Sequence, residues 1–96
     1  MNRATALQIL SEHKALIAQR FGVASLALFG STAREAATAE SDVDVLVGFA
    51  GPATSAQFFG VQFYLEDLLG CPVDLVTEKA LRPELRPYVL KDAVHV

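Results

Sequence analysis

Seven residues, "VDVLVGF" from Val43 to Phe49, restrict the fold more than any other stretch of the chain. They are β-branched and almost wholly apolar, the composition of a strand covered on both faces rather than one with a wet side. The "GFAGPATS" run that begins inside this stretch and continues past it is loop chemistry, so the strand ends near Phe49. A chain of 96 residues has room for one core of this kind, which predicts a single domain over residues 1–96.

The flanking pattern alternates helix and strand. Residues 3–21 carry Ala6, Ile9, Leu10, Leu16 and Ile17 near a 3.6-residue period, with a Thr5-x-x-Gln8 capping box at the start and Gly22 at the end. Ala24 to Phe29 is an apolar run of strand length that stops at Gly30-Ser31, and the alanine-rich Thr32 to Ala39 favours one or two helical turns. Thr54-x-x-Gln57 is a second capping box and opens a helix to Leu69, closed by Gly70 with Pro72 beyond. This helix holds Phe58, Phe59, Val61, Phe63, Tyr64, Leu65, Leu68 and Leu69, too many for one stripe, so part of it is free to meet another chain. Val73 to Val76 is a third strand interrupted by Asp74, and Thr77 to Ala93 is a last helical region cut into short pieces by Pro83 and Pro87. The order αβαβαβα predicts an α/β (α+β) domain, a small mixed sheet of about three strands flanked by helices.

Composition narrows the function. Eight basic residues against eleven acidic ones give a net charge of −3 with no basic run, which argues against direct nucleic-acid binding. Cys71 is the only cysteine, so an internal disulfide and a paired-thiol metal cage are both excluded. The first ten residues lack a signal-peptide pattern and no stretch of about 18 apolar residues occurs, which leads us to expect a cytoplasmic protein with no membrane partner.

The chemistry lies in the carboxylates. Asp42 and Asp44 stand two apart at the head of a strand, so they point to the same face with Cα atoms about 6.5–7 Å apart and can converge on one cation. Asp74 is the third candidate, since a charge in a buried strand needs a partner or a metal. Three carboxylates can hold two Mg2+ ions about 3.5–4 Å apart. Gly30-Ser31 supplies a place where backbone N–H groups and a hydroxyl approach a phosphate. If Gly30-Ser31 ends the first strand and the aspartates begin the second, a shared site requires those strands to be antiparallel, and Asp74 requires the third to be parallel to the second. Each feature also has an ordinary reading: Gly-Ser as a helix cap, Asp-x-Asp as a solvated turn, Asp74 as an edge charge against aggregation. Their combination favours one site.

The stretch "GSTAREAATAESDVDVLV", Gly30 to Val47, resembles the signature of the nucleotidyltransferase superfamily that includes DNA polymerase beta, in which Gly-Ser is followed about ten residues on by Asp-x-Asp. The chain is similar over nearly its whole length to the minimal nucleotidyltransferases, which share a Gly-Ser-x-Ala-Arg opening and a third aspartate in a strand like "PVDLV". The resemblance implies Asp42, Asp44 and Asp74 as catalytic metal ligands, with Asp74 also activating the acceptor, and Gly30, Ser31 and Arg34 as nucleotide-binding residues. It further implies a metal-dependent transfer of AMP from ATP to a tyrosine of a HEPN-type ribonuclease toxin, with this chain as the antitoxin. The alternatives are an antitoxin that masks its partner without turnover, or an antibiotic nucleotidyltransferase, which the missing acceptor-binding domain disfavours. The pattern departs at Glu35, where the family commonly has glycine; a carboxylate there would stand near the triphosphate. The helix 54–69 and the C-terminal "ALRPELRPYVLKDAV" are candidate surfaces for a toxin or a second copy, the ordinary reading being that both simply pack the core. Lys79, Arg82, Arg86 and Lys91 read as a solvated face able to meet phosphate or an acidic partner, and His13 and His95 as structural or surface residues.

Overall fold

The computed structural model describes residues 1–37 and 41–96. The elements run α1 (Arg3–Phe21), β1 (Val23–Phe29), α2 (Gly30–Ala33), β2 (Val43–Phe49), α3 (Ser55–Leu69), β3 (Val73–Thr77), α4 (Arg86–Asp92) and β4 (Val94–His95). Four strands form one sheet in the order β3-β2-β1-β4. β1 is antiparallel to β2, and β3 is parallel to β2, as the shared-site argument required. Among the described residues no helix is long and apolar enough to cross a membrane.

The pleat sorts the sheet into two faces. Val43, Val45 and Val47 of β2, Leu26 and Leu28 of β1, and Val73 and Leu75 of β3 join Ala6, Leu10 and Ile17 of α1 and Val61, Leu65 and Leu69 of α3 in one core. The intervening residues, Leu46 of β2 and Ala27 of β1, are buried as well, so β2 is covered on both sides over its middle. α4 packs on β1 and on α2. Phe29, Asp44 and Asp74 are cross-strand neighbours in register and share the face that α1 and α3 leave free.

Four sequence expectations need correction. α1 is capped by Asn2, whose Oδ1 accepts the Thr5 N–H at 2.8 Å; Thr5 is already inside the helix and Gln8 donates to Glu12 instead. The Thr32–Ala39 helix is replaced by the four-residue α2, because the chain turns at Arg34 and Glu35, the latter with φ 60°. Thr38 and Ala39 lie outside the described residues. In the Thr77–Ala93 region Thr77 ends β3, turns follow, and Arg86–Asp92 alone is helical, with Pro87 in the first turn where its missing N–H is tolerated. Finally, β4 adds a fourth strand through Ala27↔His95 and Leu28↔Val94. The second capping box is as expected: Thr54 Oγ1 accepts the Gln57 N–H and Gln57 Oε1 accepts the Thr54 N–H.

α3 divides its apolar residues around its circumference. Val61, Leu65 and Leu69 face the sheet, Tyr64 meets Phe21 and His13 of α1 edge-on, and Phe59 and Phe63 stack on each other while 49% and 61% exposed. His13 Nδ1 lies 2.9 Å from the Ile9 carbonyl, a structural setting, and His95 is exposed on β4.

Candidate active site

The site forms where β1 ends and β2 and β3 begin. Gly30 follows β1 directly and has φ 72°, a left-handed conformation that glycine adopts without strain. A side chain there would also collide with the Asp44 carboxylate, since a Cβ at Gly30 would fall 2.8 Å from Asp44 Cγ. Glycine is therefore required twice, for backbone conformation and for space. Ser31 is half-buried at the next position, where helix N–H groups have no intrahelical acceptor. Ser31 and the backbone around Gly30 thus sit immediately beside Asp44.

Asp44 and Asp74 are direct neighbours in the parallel β2–β3 register, with their carboxyl groups in hydrogen-bonding reach. Asp42, two residues before Asp44, is exposed and falls on the same face. Val73, which positions Asp74, is held by α3: its N–H donates to Glu66 Oε2 at 3.1 Å and its carbonyl accepts from Gln62 Nε2 at 3.4 Å. Burial and the crowding of like charges both act on Asp44. The Asp44 carboxyl is pushed up from 3.8 to about 6, first by burial, then by the charge and hydrogen bond of Asp74 and the charge of Asp42, while Arg34 pulls it down. A divalent cation would remove the repulsion that Asp74 and Asp42 impose on it.

Asp74 is not the buried charge that its place in an apolar strand predicts. Asp74 is exposed on the edge strand β3, and its place beside Asp44 comes from strand register. Among the described residues no three His, Cys, Asp or Glu side chains close together as a preformed metal cage. The donor set nevertheless fits a hard cation such as Mg2+, which takes one or two carboxylates and leaves its other positions to water and substrate phosphate. A cavity of about 340 Å3 lies at the far end of β2 and β3, lined by Phe49, Pro52, Thr77, Glu78 and Lys79, away from the aspartates. Asp42 and Asp74 are exposed and Asp44 is half-buried, so the carboxylates occupy an open face.

The fold has known counterparts. The profile of the nucleotidyltransferase domain matches residues 10–96. The chain belongs to the nucleotidyltransferase domain family. Within that family, the protein adenylyltransferase MntA of Thermococcus cleftensis is 41% identical over 88 residues, 92% of this chain and 89% of that protein. A solved structure assigned as a minimal nucleotidyltransferase superposes with a TM-score of 0.82 at 37% identity, covering 98% of this chain and 95% of the other. A chain from the complex of the tri-AMPylated Shewanella oneidensis HEPN toxin with its MNT antitoxin superposes with a TM-score of 0.65 at 21% identity, covering 93% and 68%. At that identity the likeness shows the nucleotidyltransferase fold alone.

Arg34, the basic residues of the C-terminal region and Glu35 complete the picture of this nucleotidyltransferase. Arg34 ends α2 and donates from Nη1 to Asp92 Oδ2 of α4 at 2.8 Å, a pairing across 58 residues that no local pattern announces. Lys79, Arg82, Arg86 and Lys91 are exposed, Arg86 Nη2 is bound to the Glu78 carbonyl at 3.1 Å, and the basic group that acts on the Asp44 carboxyl is Arg34. Glu35 has a conformational explanation. It is exposed and left-handed, and that backbone state is why glycine suits the position after the arginine. A left-handed L-residue costs roughly 1–2 kcal/mol, against roughly 0.5–1 kcal/mol for the greater unfolded-state freedom of glycine. Glu35→Gly is accordingly expected to stabilise the protein by about 0.5–1 kcal/mol, read as a higher midpoint in urea denaturation, with activity retained.

Proposed function

We propose that this chain transfers AMP from ATP to a tyrosine hydroxyl of a HEPN-type toxin partner and thereby acts as its antitoxin. The observation that carries the reading is the Asp44–Asp74 register pair, flanked by Asp42, directly against the glycine at the end of β1. The name of the MntA relative supports a protein acceptor and an adenylyl donor. A structural neighbour crystallised with AMP-PNP and another carrying an AMPylated HEPN toxin agree with that choice of nucleotide and partner.

In this reading Asp42, Asp44 and Asp74 would hold Mg2+, which supplies charge neutralisation on the triphosphate and polarises its α-phosphoryl group. Gly30 lets the backbone approach the phosphates, and Ser31 and Arg34 donate to them. The tyrosine oxygen bonds to the α-phosphorus, the bond to the bridging oxygen of the β-phosphate breaks, and pyrophosphate leaves. Asp74, exposed on the edge strand, takes the tyrosine proton. The carboxylates lie on an open face, with Asp42 and Asp74 exposed, which suits an acceptor tyrosine brought by the partner.

The test combines the protein, ATP, Mg2+ and the product of the neighbouring reading frame, with mass spectrometry of the partner. The expected result is AMP on a partner tyrosine, lost in Asp42→Asn and Asp74→Asn. Neutralisation of the toxin that survives both substitutions with no AMP attached would establish masking instead and overturn the catalytic reading.

A further inference from the structure

Arg34 faces two acidic groups that pull it in different directions. Its backbone is fixed at the end of α2, where its N–H reaches the Gly30 and Thr32 carbonyls. Its guanidinium is close enough to Asp44 to act on that carboxyl, yet among the described residues its side-chain hydrogen bond goes to Asp92 of α4, from Nη1. The guanidinium carries five N–H donors in a planar fork, so a contact through Nη1 is compatible with a second acceptor on another edge of the fork. Both side chains remain reachable from solvent, Arg34 at 51% and Asp92 at 24% exposure.

The tether has a second effect. Asp42, Asp44 and Asp74 form a concentrated negative face, and a free arginine beside it would be drawn onto the carboxylates in competition with a cation. We propose that Asp92 is a positioning residue for nucleotide binding: it holds the Arg34 guanidinium at the edge of the Gly30-Ser31 cradle, available to the triphosphate and kept off the carboxylate face. The proposal rests on the reading of this face as a Mg2+-nucleotide site. Because α4 carries Asp92 and packs on α2, the C-terminal segment acts on the nucleotide end of the reaction.

A solvent-exposed ion pair adds little to folding, so Asp92→Asn should melt as the wild type does. The test measures binding of a non-hydrolysable ATP analogue with Mg2+, and of AMP, to wild type, Arg34→Ala, Asp92→Asn and Asp92→Glu by calorimetry. Asp92→Asn is expected to bind the analogue about five- to tenfold more weakly, with a smaller change for AMP, and Asp92→Glu to recover most of the loss. A purely structural role would move both ligands together and shift the melting temperature. Should Asp92→Asn fail to fold, Asp92→Ser is read by the same criteria. Analogue binding by Asp92→Asn within about twofold of wild type, or tighter, overturns the proposal while leaving the nucleotide site standing. A wild-type protein that binds no nucleotide overturns both.

Discussion

Asp44→Asn is expected to yield a protein that is more stable than the wild type at neutral pH and inactive. The Asp44 carboxyl is raised from 3.8 to about 6 in the fold, chiefly by burial and by Asp74. A group with a raised folded pKa stabilises the fold below its unfolded value, and that contribution is lost as pH rises through the folded value. The ion-free protein therefore loses stability between about pH 4 and pH 6, and at pH 7 the ionised Asp44 opposes folding. The full shift corresponds to about 3 kcal/mol, and solvent screening at this partly exposed site reduces it to about 1 kcal/mol. Asparagine removes the charge and keeps the shape, so at pH 7 it should raise the melting temperature by about 4–8 °C, an advantage that vanishes below pH 4. Transfer activity should fall at least about a hundredfold. Saturating Mg2+ should raise the melting temperature of the wild type at pH 7.5 and leave Asp44→Asn unchanged. Scanning calorimetry across this pH range, beside the transfer assay, checks both halves; an Asp44→Asn protein that melts below wild type at pH 7 contradicts the electrostatic account.

Gly30→Ala should be damaging on two grounds that a control can separate. Gly30 and Gly70 have nearly the same backbone angle, φ 72° and 71°. A Cβ at Gly70 would meet nothing within 4 Å, whereas one at Gly30 would run into the Asp44 carboxylate. Gly70→Ala thus reports left-handed strain alone, roughly 1–2 kcal/mol, and Gly30→Ala adds a steric term of similar size and displaces a site carboxylate. We expect Gly30→Ala to lose about 1–2 kcal/mol more than Gly70→Ala in urea denaturation and to lose nearly all transfer, while Gly70→Ala keeps normal turnover. Equal destabilisation of the two would show that the Gly30–Asp44 contact is not constraining.

The parts of this structure that could be read from the chain are those carried by local chemistry. The β-branched run fixed Val43–Phe49 as a doubly covered strand, and the Thr54–Gln57 box with Gly70 bounded α3. Even strand direction was accessible, because a glycine ending one strand and aspartates beginning two others can meet only in a mixed sheet. What stayed hidden depends on contacts distant in sequence. The two residues of β4 have too little pattern to mark a strand and become one by pairing with Ala27 and Leu28. The alanines after Ser31 favour a longer helix, but the chain leaves helical geometry at Glu35. In sequence Asp74 stands out as a charge that a buried strand must compensate, whereas its exposed position beside Asp44 follows from register. Asp92 offered no signal beyond an acid in a short helix, and only the packing of α4 on α2 brings it to Arg34.

One measurement tests the central claim most directly: the partner is incubated with this protein, Mg2+ and ATP labelled either at the α-phosphate or at the γ-phosphate. Attack at the α-phosphorus predicts label on the partner from α-labelled ATP only, with γ-label released as pyrophosphate and no transfer by Asp44→Asn. Label arriving from the γ-phosphate, or α-label transfer undiminished in Asp44→Asn, would contradict the assignment of this carboxylate face as an adenylyl-transfer site.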